Sequence, residues 1–164
     1  QRRYNKHNNN QKQVNMETLN ELRDKIYANA ILKGFYRDVV DIMIYIDKAH
    51  KAEDSDSAAS IARFKHIAFA QRIALIQSEA SEALEADRKN RHADLISMQE
   101  QMQAHGFKAE DFQRYIKDTV EDEIADTIIR LLDLCGMLGI DIDKHIELKM
   151  QYNSSRPYLH GKEY

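Results

Sequence analysis

A chain of 164 residues, 43% hydrophobic and 31% charged, is long enough to bury a core and short enough for one domain to be the expected organisation. The formal net charge is −3, but Arg2, Arg3, Lys6 and Lys12 stand without acids in the first sixteen residues, which leaves −7 on the remainder. An acidic body argues against a nucleic-acid surface, the lack of any apolar run of about 18 residues predicts no membrane span, and a single cysteine, Cys135, allows no internal disulfide and fits a reducing cytoplasm.

Residues 1–15 are polar and Asn-rich, with almost nothing to bury, and predict a flexible N-terminal arm before a single domain over 16–164. Asn15 is the expected cap of a first helix over 16–33, with Leu19, Leu22, Ile26 and Ala30 on one face and Gly34 as its stop. After the aromatic turn Phe35-Tyr36, Val39, Ile42, Met43 and Ile46 keep helical spacing to about residue 50. Residues 51–60 read as a polar loop in which Asp56 or Ser57 caps a long helix over 58–89, with Gln71 as a candidate break. A shorter helix over 94–104 ends at Gly106, residues 110–117 lead into the stretch 119–139, and Asp141 caps a last helix to 153. With one proline, five glycines and no alternating strand pattern, the class is all-α, a helical bundle of five or six helices.

The stretch 119–139 carries its acids in an unusual place. Val120, Ile124, Ile128, Leu131, Leu132, Cys135 and Leu138 form one broad apolar face, and Glu123, Asp126, Arg130 and Asp133 border it. Within the helix only Asp126 has a basic residue four positions on, Arg130; Glu123 is followed at that spacing by Thr127. The stretch 73–87 repeats the arrangement, with Glu79 and Glu82 one turn apart beside Ile76, Ala80 and Ala83 and without a basic partner at that spacing. Two antiparallel helices of this kind would present four carboxylates to one another.

Four such acids repel, and a hard divalent cation resolves the conflict. Mg²⁺, with Mn²⁺ as an alternative, takes oxygen ligands and commonly shares its sphere with substrate phosphates, which suits a cluster without His or Cys. A di-iron or di-manganese bundle would call for Glu-x-x-His, and the seven histidines are scattered outside any such motif. Phosphate-loop, nucleophile-elbow and paired-cysteine motifs are absent from the sequence. Lys149, Asn153 and Arg156 follow one another along and just past the last helix, where they would hold phosphate or base, or else serve as capping and solvated side chains. Lys33, Phe35 and Tyr36 would line a base pocket or pack the aromatic turn onto the core.

Taken together, Glu79-Ala-Ser-Glu82 and Glu123-Ile-Ala-Asp126, with their flanks Ser78-Glu-Ala-Ser-Glu-Ala-Leu-Glu-Ala and Asp122-Glu-Ile-Ala-Asp-Thr-Ile-Ile-Arg-Leu-Leu-Asp, resemble the all-alpha nucleoside triphosphate pyrophosphohydrolases, often called MazG-like. The resemblance runs from Lys33-Gly-Phe-Tyr36 to the tail Lys149-Met-Gln-Tyr-Asn153-Ser-Ser-Arg156-Pro-Tyr-Leu-His-Gly161. It implies Mg²⁺-dependent cleavage of a nucleoside triphosphate to the monophosphate and pyrophosphate, with Glu79, Glu82, Glu123 and Asp126 as metal ligands. Helices with wide apolar faces in so small a chain also lead us to expect a homo-oligomer, a dimer or tetramer. The rival expectation is a non-catalytic helical protein that oligomerises or binds a partner, its acids solvated.

Overall fold

A computed structural model describes residues 17–50 and 55–157. The expected arm over 1–15, residues 51–54 of the loop expected over 51–60 and the end of the tail lie outside the described residues, while 55–60 are helical and belong to the long third helix. The class is all-α, with no strand among the described residues and seven helices rather than five or six: α1 (Leu19–Leu32), α2 (Arg37–His50), α3 (Ser55–Arg88), α4 (Leu95–His105), α5 (Ala109–Tyr115), α6 (Val120–Leu138) and α7 (Ile142–Ser154). The extra element is α5, which stands alone because the chain turns between it and α6, with Asp118 at a positive φ of 59°. No helix among the described residues is long and apolar enough to cross a membrane.

Side-chain caps set four of the helix starts. Thr18 begins α1 with a complete capping box: its side chain accepts the Glu21 N–H, and the Glu21 carboxylate accepts the Thr18 N–H. This reciprocal pair places the helix start at Leu19, later than the expected start at 16. Asp94, Thr119 and Asp141 cap α4, α6 and α7 in the same way, each accepting a backbone N–H from the residue three positions on. At its far end α6 stops at Gly139, whose left-handed φ of 65° lets the Ile140 N–H return to the Cys135 carbonyl. The long helix is continuous through Gln71 and already includes Asp56 and Ser57, which therefore lie within it instead of capping it.

Helix α6 is the axis of the bundle, and both α1 and α3 pack along it. α3 is antiparallel to it, for Glu82 lies near Glu123 at one end, Glu79 meets Arg130 a turn on, and Arg72 comes beside Asp133 beyond that. α1 is also antiparallel, since Tyr27 meets Gly136 while Asn20 and Arg23 bind Asp141 and the Ile140 carbonyl beyond the end of α6. The α1–α6 crossing is close because position 136 has no side chain. A Cβ there would lie 2.6 Å from Tyr27 Cβ and 2.8 Å from Tyr27 Cγ. Gly136→Ala gains about 1 kcal/mol of helix propensity, but relieving those contacts requires the two helix backbones to separate, an overpacking cost of about 1–3 kcal/mol. We expect a net loss of stability, read as a fall of a few degrees in melting temperature; an unchanged or higher value would show that the crossing tolerates a methyl.

The face that α6 buries differs from the one its periodicity suggests. Leu132 and Leu134 are buried, but Ile124, Ile128, Leu131 and Leu138 are all more than 40% exposed, and the side toward α3 buries Glu123. Apolar residues cover more than half of this helix's circumference, so periodicity cannot distinguish the side covered by α1 and α3 from the side left open.

Candidate metal centre and adjoining cavity

Antiparallel packing of α3 on α6 brings three of the four expected ligands together. Glu79, Glu82 and Glu123 each offer a carboxylate oxygen, and these oxygens lie within 4.8 Å of one another. Glu79 and Glu123 are both only 7% exposed, whereas Glu82 is exposed and accepts a hydrogen bond of 3.1 Å from Ser78 Oγ. The Glu123 carboxyl is pushed up to about 7, first by burial and then by the negative charge of Glu82, Asp122, Glu79 and Asp126. A carboxyl buried among like charges marks a cluster that a cation would relax, and an all-carboxylate donor set suits a hard divalent ion.

Asp126 stands beside the trio without belonging to it. It is half-buried, burial followed by the charges of Asp122 and Glu79 pushes its carboxyl up, and it forms part of the wall of a neighbouring cavity. Arg130 is placed differently from the expectation based on spacing. Instead of serving its neighbour Asp126, it crosses to α3, where Nε and a terminal guanidinium nitrogen both approach Glu79 Oε1 at 2.5 Å. One member of the cluster is thus already partly neutralised.

The cavity has a volume of about 520 Å³ and lies between α1, α3 and α6, with Asp126 and Arg130 on the side of the carboxylates. Its other polar lining includes Asn29, Gln71, Arg72 and Asp133, and Ile26, Phe35, Leu75 and Ile129 supply apolar wall. Tyr36, 2% exposed, lies beneath it. The phenol donates to Asp133 Oδ2 at 2.7 Å, its oxygen accepts from Arg72 Nε at 3.4 Å, and the Arg72 guanidinium stacks 4.3 Å above its ring. Tyr27 meets the same ring edge-on at 4.9 Å. Burial pushes the Tyr36 hydroxyl well above its ordinary range, so the phenol keeps its proton and remains a donor to Asp133.

Of the other expected binding residues, Phe35 lines the cavity, while Lys33 is an exposed C-cap of α1 outside the lining. Lys149, Asn153 and Arg156 lie along and just past α7, where Lys149 and Arg156 both flank the Tyr152 ring, at 5.0 and 5.7 Å. α7 packs on α1, and none of these three is among the residues lining the cavity. Cys135 is half-buried, and burial raises its thiol, as suits a small hydrophobe. Arg72 is the residue that motif reading missed. The available signal was a seven-residue interval: Arg72 precedes Glu79 by two helical turns, as Asp133 follows Asp126.

No family model, curated protein or solved structure matches this chain.

Proposed function

We propose that the chain is a Mg²⁺-dependent nucleoside triphosphate pyrophosphohydrolase of the all-alpha, MazG-like kind, which cleaves between the α- and β-phosphates. The observation that carries this reading is the convergence of Glu79, Glu82 and Glu123 beside a cavity lined by Arg72 and Arg130. A carboxylate trio alone would suit any divalent cation. The cavity of about 520 Å³, whose wall includes Arg130, the partner of Glu79, together with Asp126, Arg72 and apolar side chains, offers a place for a phosphorylated ring compound as well.

Glu79, Glu82 and Glu123 would hold the ion, with Asp126 completing the set on the cavity side. Bound there, Mg²⁺ or Mn²⁺ supplies positive charge against phosphate oxygens and acidifies water. Arg130, anchored on Glu79, also lines the cavity and would meet the charge of the triphosphate. Of the hydroxyls beside the cluster, Ser78 donates to Glu82 at 3.1 Å and Thr127 to the Glu123 carbonyl at 2.9 Å; the nucleophile proposed is a water, acidified by the ion.

The direct test is a screen of ribo- and deoxyribonucleoside triphosphates for pyrophosphate release with Mg²⁺. Release of pyrophosphate from at least one of them, abolished by chelation, is expected; release of inorganic phosphate instead, or no turnover on any of them, would overturn the reading.

We further take the working form to be a homo-oligomer. Support comes from the apolar residues left open on one chain: Ile124, Ile128 and Leu131 on α6, Ile67 on α3 and Met150 on α7. Sedimentation equilibrium at micromolar concentration is expected to give a dimer or tetramer; a monomer at that concentration would refute it.

A further inference from the structure

We infer that Arg130 is the resident counter-ion of the carboxylate trio: it holds Glu79 until a divalent ion binds, competes with the ion for that carboxylate, and is released into the cavity when the ion is held. The inference rests on the reading of the trio as a metal centre and adds to it a residue that governs when the centre fills.

Of the three glutamates, Glu79 is the one with a cation on it. Arg130 crosses from α6 to α3, and its Nε and Nη2 both lie 2.5 Å from Glu79 Oε1. Glu82 accepts a neutral donor, the Ser78 hydroxyl, and Glu123 is buried among like charges. A buried carboxylate left without a partner is costly, so Glu79 needs a cation whenever no ion is bound, and Arg130 supplies it. Two charge-assisted bonds to one oxygen make a strong hold.

A divalent ion bound by Glu79 would share that carboxylate with the guanidinium. Two positive centres on one carboxylate repel, and the repulsion is weakly screened where the carboxylate is buried. The two sides of the ion pair differ in their freedom to yield. Glu79 is fixed in the α3–α6 interface with 9% of its side chain exposed, whereas Arg130 is 42% exposed and carries its charge at the end of a long flexible stem. Arg130 is therefore the member that moves.

Its neighbours set where it goes. Arg130 already forms part of the cavity wall, and Asp133, one turn on along α6, lines the same cavity. Burial pushes the Asp133 carboxyl up, against the opposing pull of the Tyr36 hydroxyl and the charges of Arg72 and Arg130. A guanidinium that leaves Glu79 thus keeps an acidic neighbour, and it stands in the space proposed for the phosphates of a ligand.

The rival role for Arg130 is a clamp that steadies Glu79 for the ion, as hydrogen-bonded partners of metal ligands commonly do. The two roles predict opposite signs. Removing a clamp weakens ion binding, and removing a competitor strengthens it.

The test is calorimetric titration of Mg²⁺ into the full chain at pH 8 without nucleotide. Arg130→Gln is expected to bind Mg²⁺ about tenfold or more tightly than the unmodified chain, and Arg130→Lys, which keeps the charge, to stay within about threefold of it. In the unmodified chain the Arg130 Nε–H signal, identified in ¹⁵N spectra by its loss in Arg130→Lys, should leave its hydrogen-bonded position as Mg²⁺ is added; this arm carries the test if Arg130→Gln does not fold. Mg²⁺ affinity unchanged or weaker in Arg130→Gln, or an Nε–H signal unmoved at saturating Mg²⁺, would overturn the proposal. No Mg²⁺ bound at millimolar concentration by either chain would overturn it together with the metal centre. Because no nucleotide is present, the result is separable from hydrolysis. Tighter Mg²⁺ binding in Arg130→Gln without pyrophosphate release by the unmodified chain would remove the hydrolase alone, and pyrophosphate release with weaker Mg²⁺ binding in Arg130→Gln would remove the counter-ion alone.

Discussion

Replacing Glu123 by Gln is expected to slow pyrophosphate release by roughly 10²- to 10⁴-fold while leaving helical content unchanged, and Glu82→Gln to do the same. Gln keeps the shape of the side chain, so in the buried position of Glu123 nothing but charge is lost. The same holds for Glu79→Gln and Asp126→Asn, with the addition that Glu79→Gln also frees Arg130, whose side chain is 42% exposed and can turn to solvent. The bond cleaved is tested independently. In the proposed reaction water would attack the α-phosphorus, its oxygen would stay on the monophosphate, and the bridging oxygen would leave with pyrophosphate. A single turnover in ¹⁸O-labelled water therefore places the label in the monophosphate alone. Label in pyrophosphate would show that the wrong bond had been assigned, and full activity in Glu82→Gln would show that the wrong residues had been assigned.

How far that site could be read from the sequence depends on the range of each interaction. Helix ends at Asp94, Gly106, Thr119, Gly139 and Asp141 were legible because capping acts over three or four residues, and a sequence window contains both partners. The acids were legible for a related reason: three-residue spacing fixes Glu79 with Glu82, and one antiparallel pairing of α3 with α6 then brings them to Glu123.

Beyond that convergence of acids, the pairings made across helices were not legible. Arg130 lies four residues from Asp126, but its ion pair is with Glu79, 51 residues away, because a guanidinium on the α3-facing side of α6 reaches across the interface more easily than along its own helix. The Tyr36, Asp133 and Arg72 cluster joins a turn and two helices, and local periodicity carries no record of such a meeting. The apolar stripe Ile124, Ile128, Leu131 predicted a core face, yet these residues are largely exposed on the single chain, for hydrophobic periodicity reports that a face is to be covered and not by what.

Binding of Mg²⁺ should release close to one proton per ion at pH 6, about half a proton at pH 7 and almost none at pH 8, because the Glu123 carboxyl titrates at about 7 and a cation in the cluster displaces its proton. The sign of the linked stability follows from the same shift. Glu123 holds its proton more tightly in the folded chain, at about 7, than at the ordinary value of 4.5, so the metal-free fold is favoured while the group is protonated and loses stability as pH rises from about 4.5 through about 7. Mg²⁺ should reverse that loss, raising the melting temperature more at pH 8 than at pH 6. Glu123→Gln removes the charge and should stabilise the metal-free protein at pH 8 by on the order of 2 kcal/mol, several degrees for a chain of this size, while abolishing proton release and weakening the thermal response to Mg²⁺. Glu79→Gln gives the contrast, since it removes a carboxylate that Arg130 already compensates and should bring no such gain. Calorimetric titration with Mg²⁺ in buffers of different ionisation enthalpy counts the protons directly. Undiminished release in Glu123→Gln would place the displaced proton on another group and remove Glu123 from the metal site.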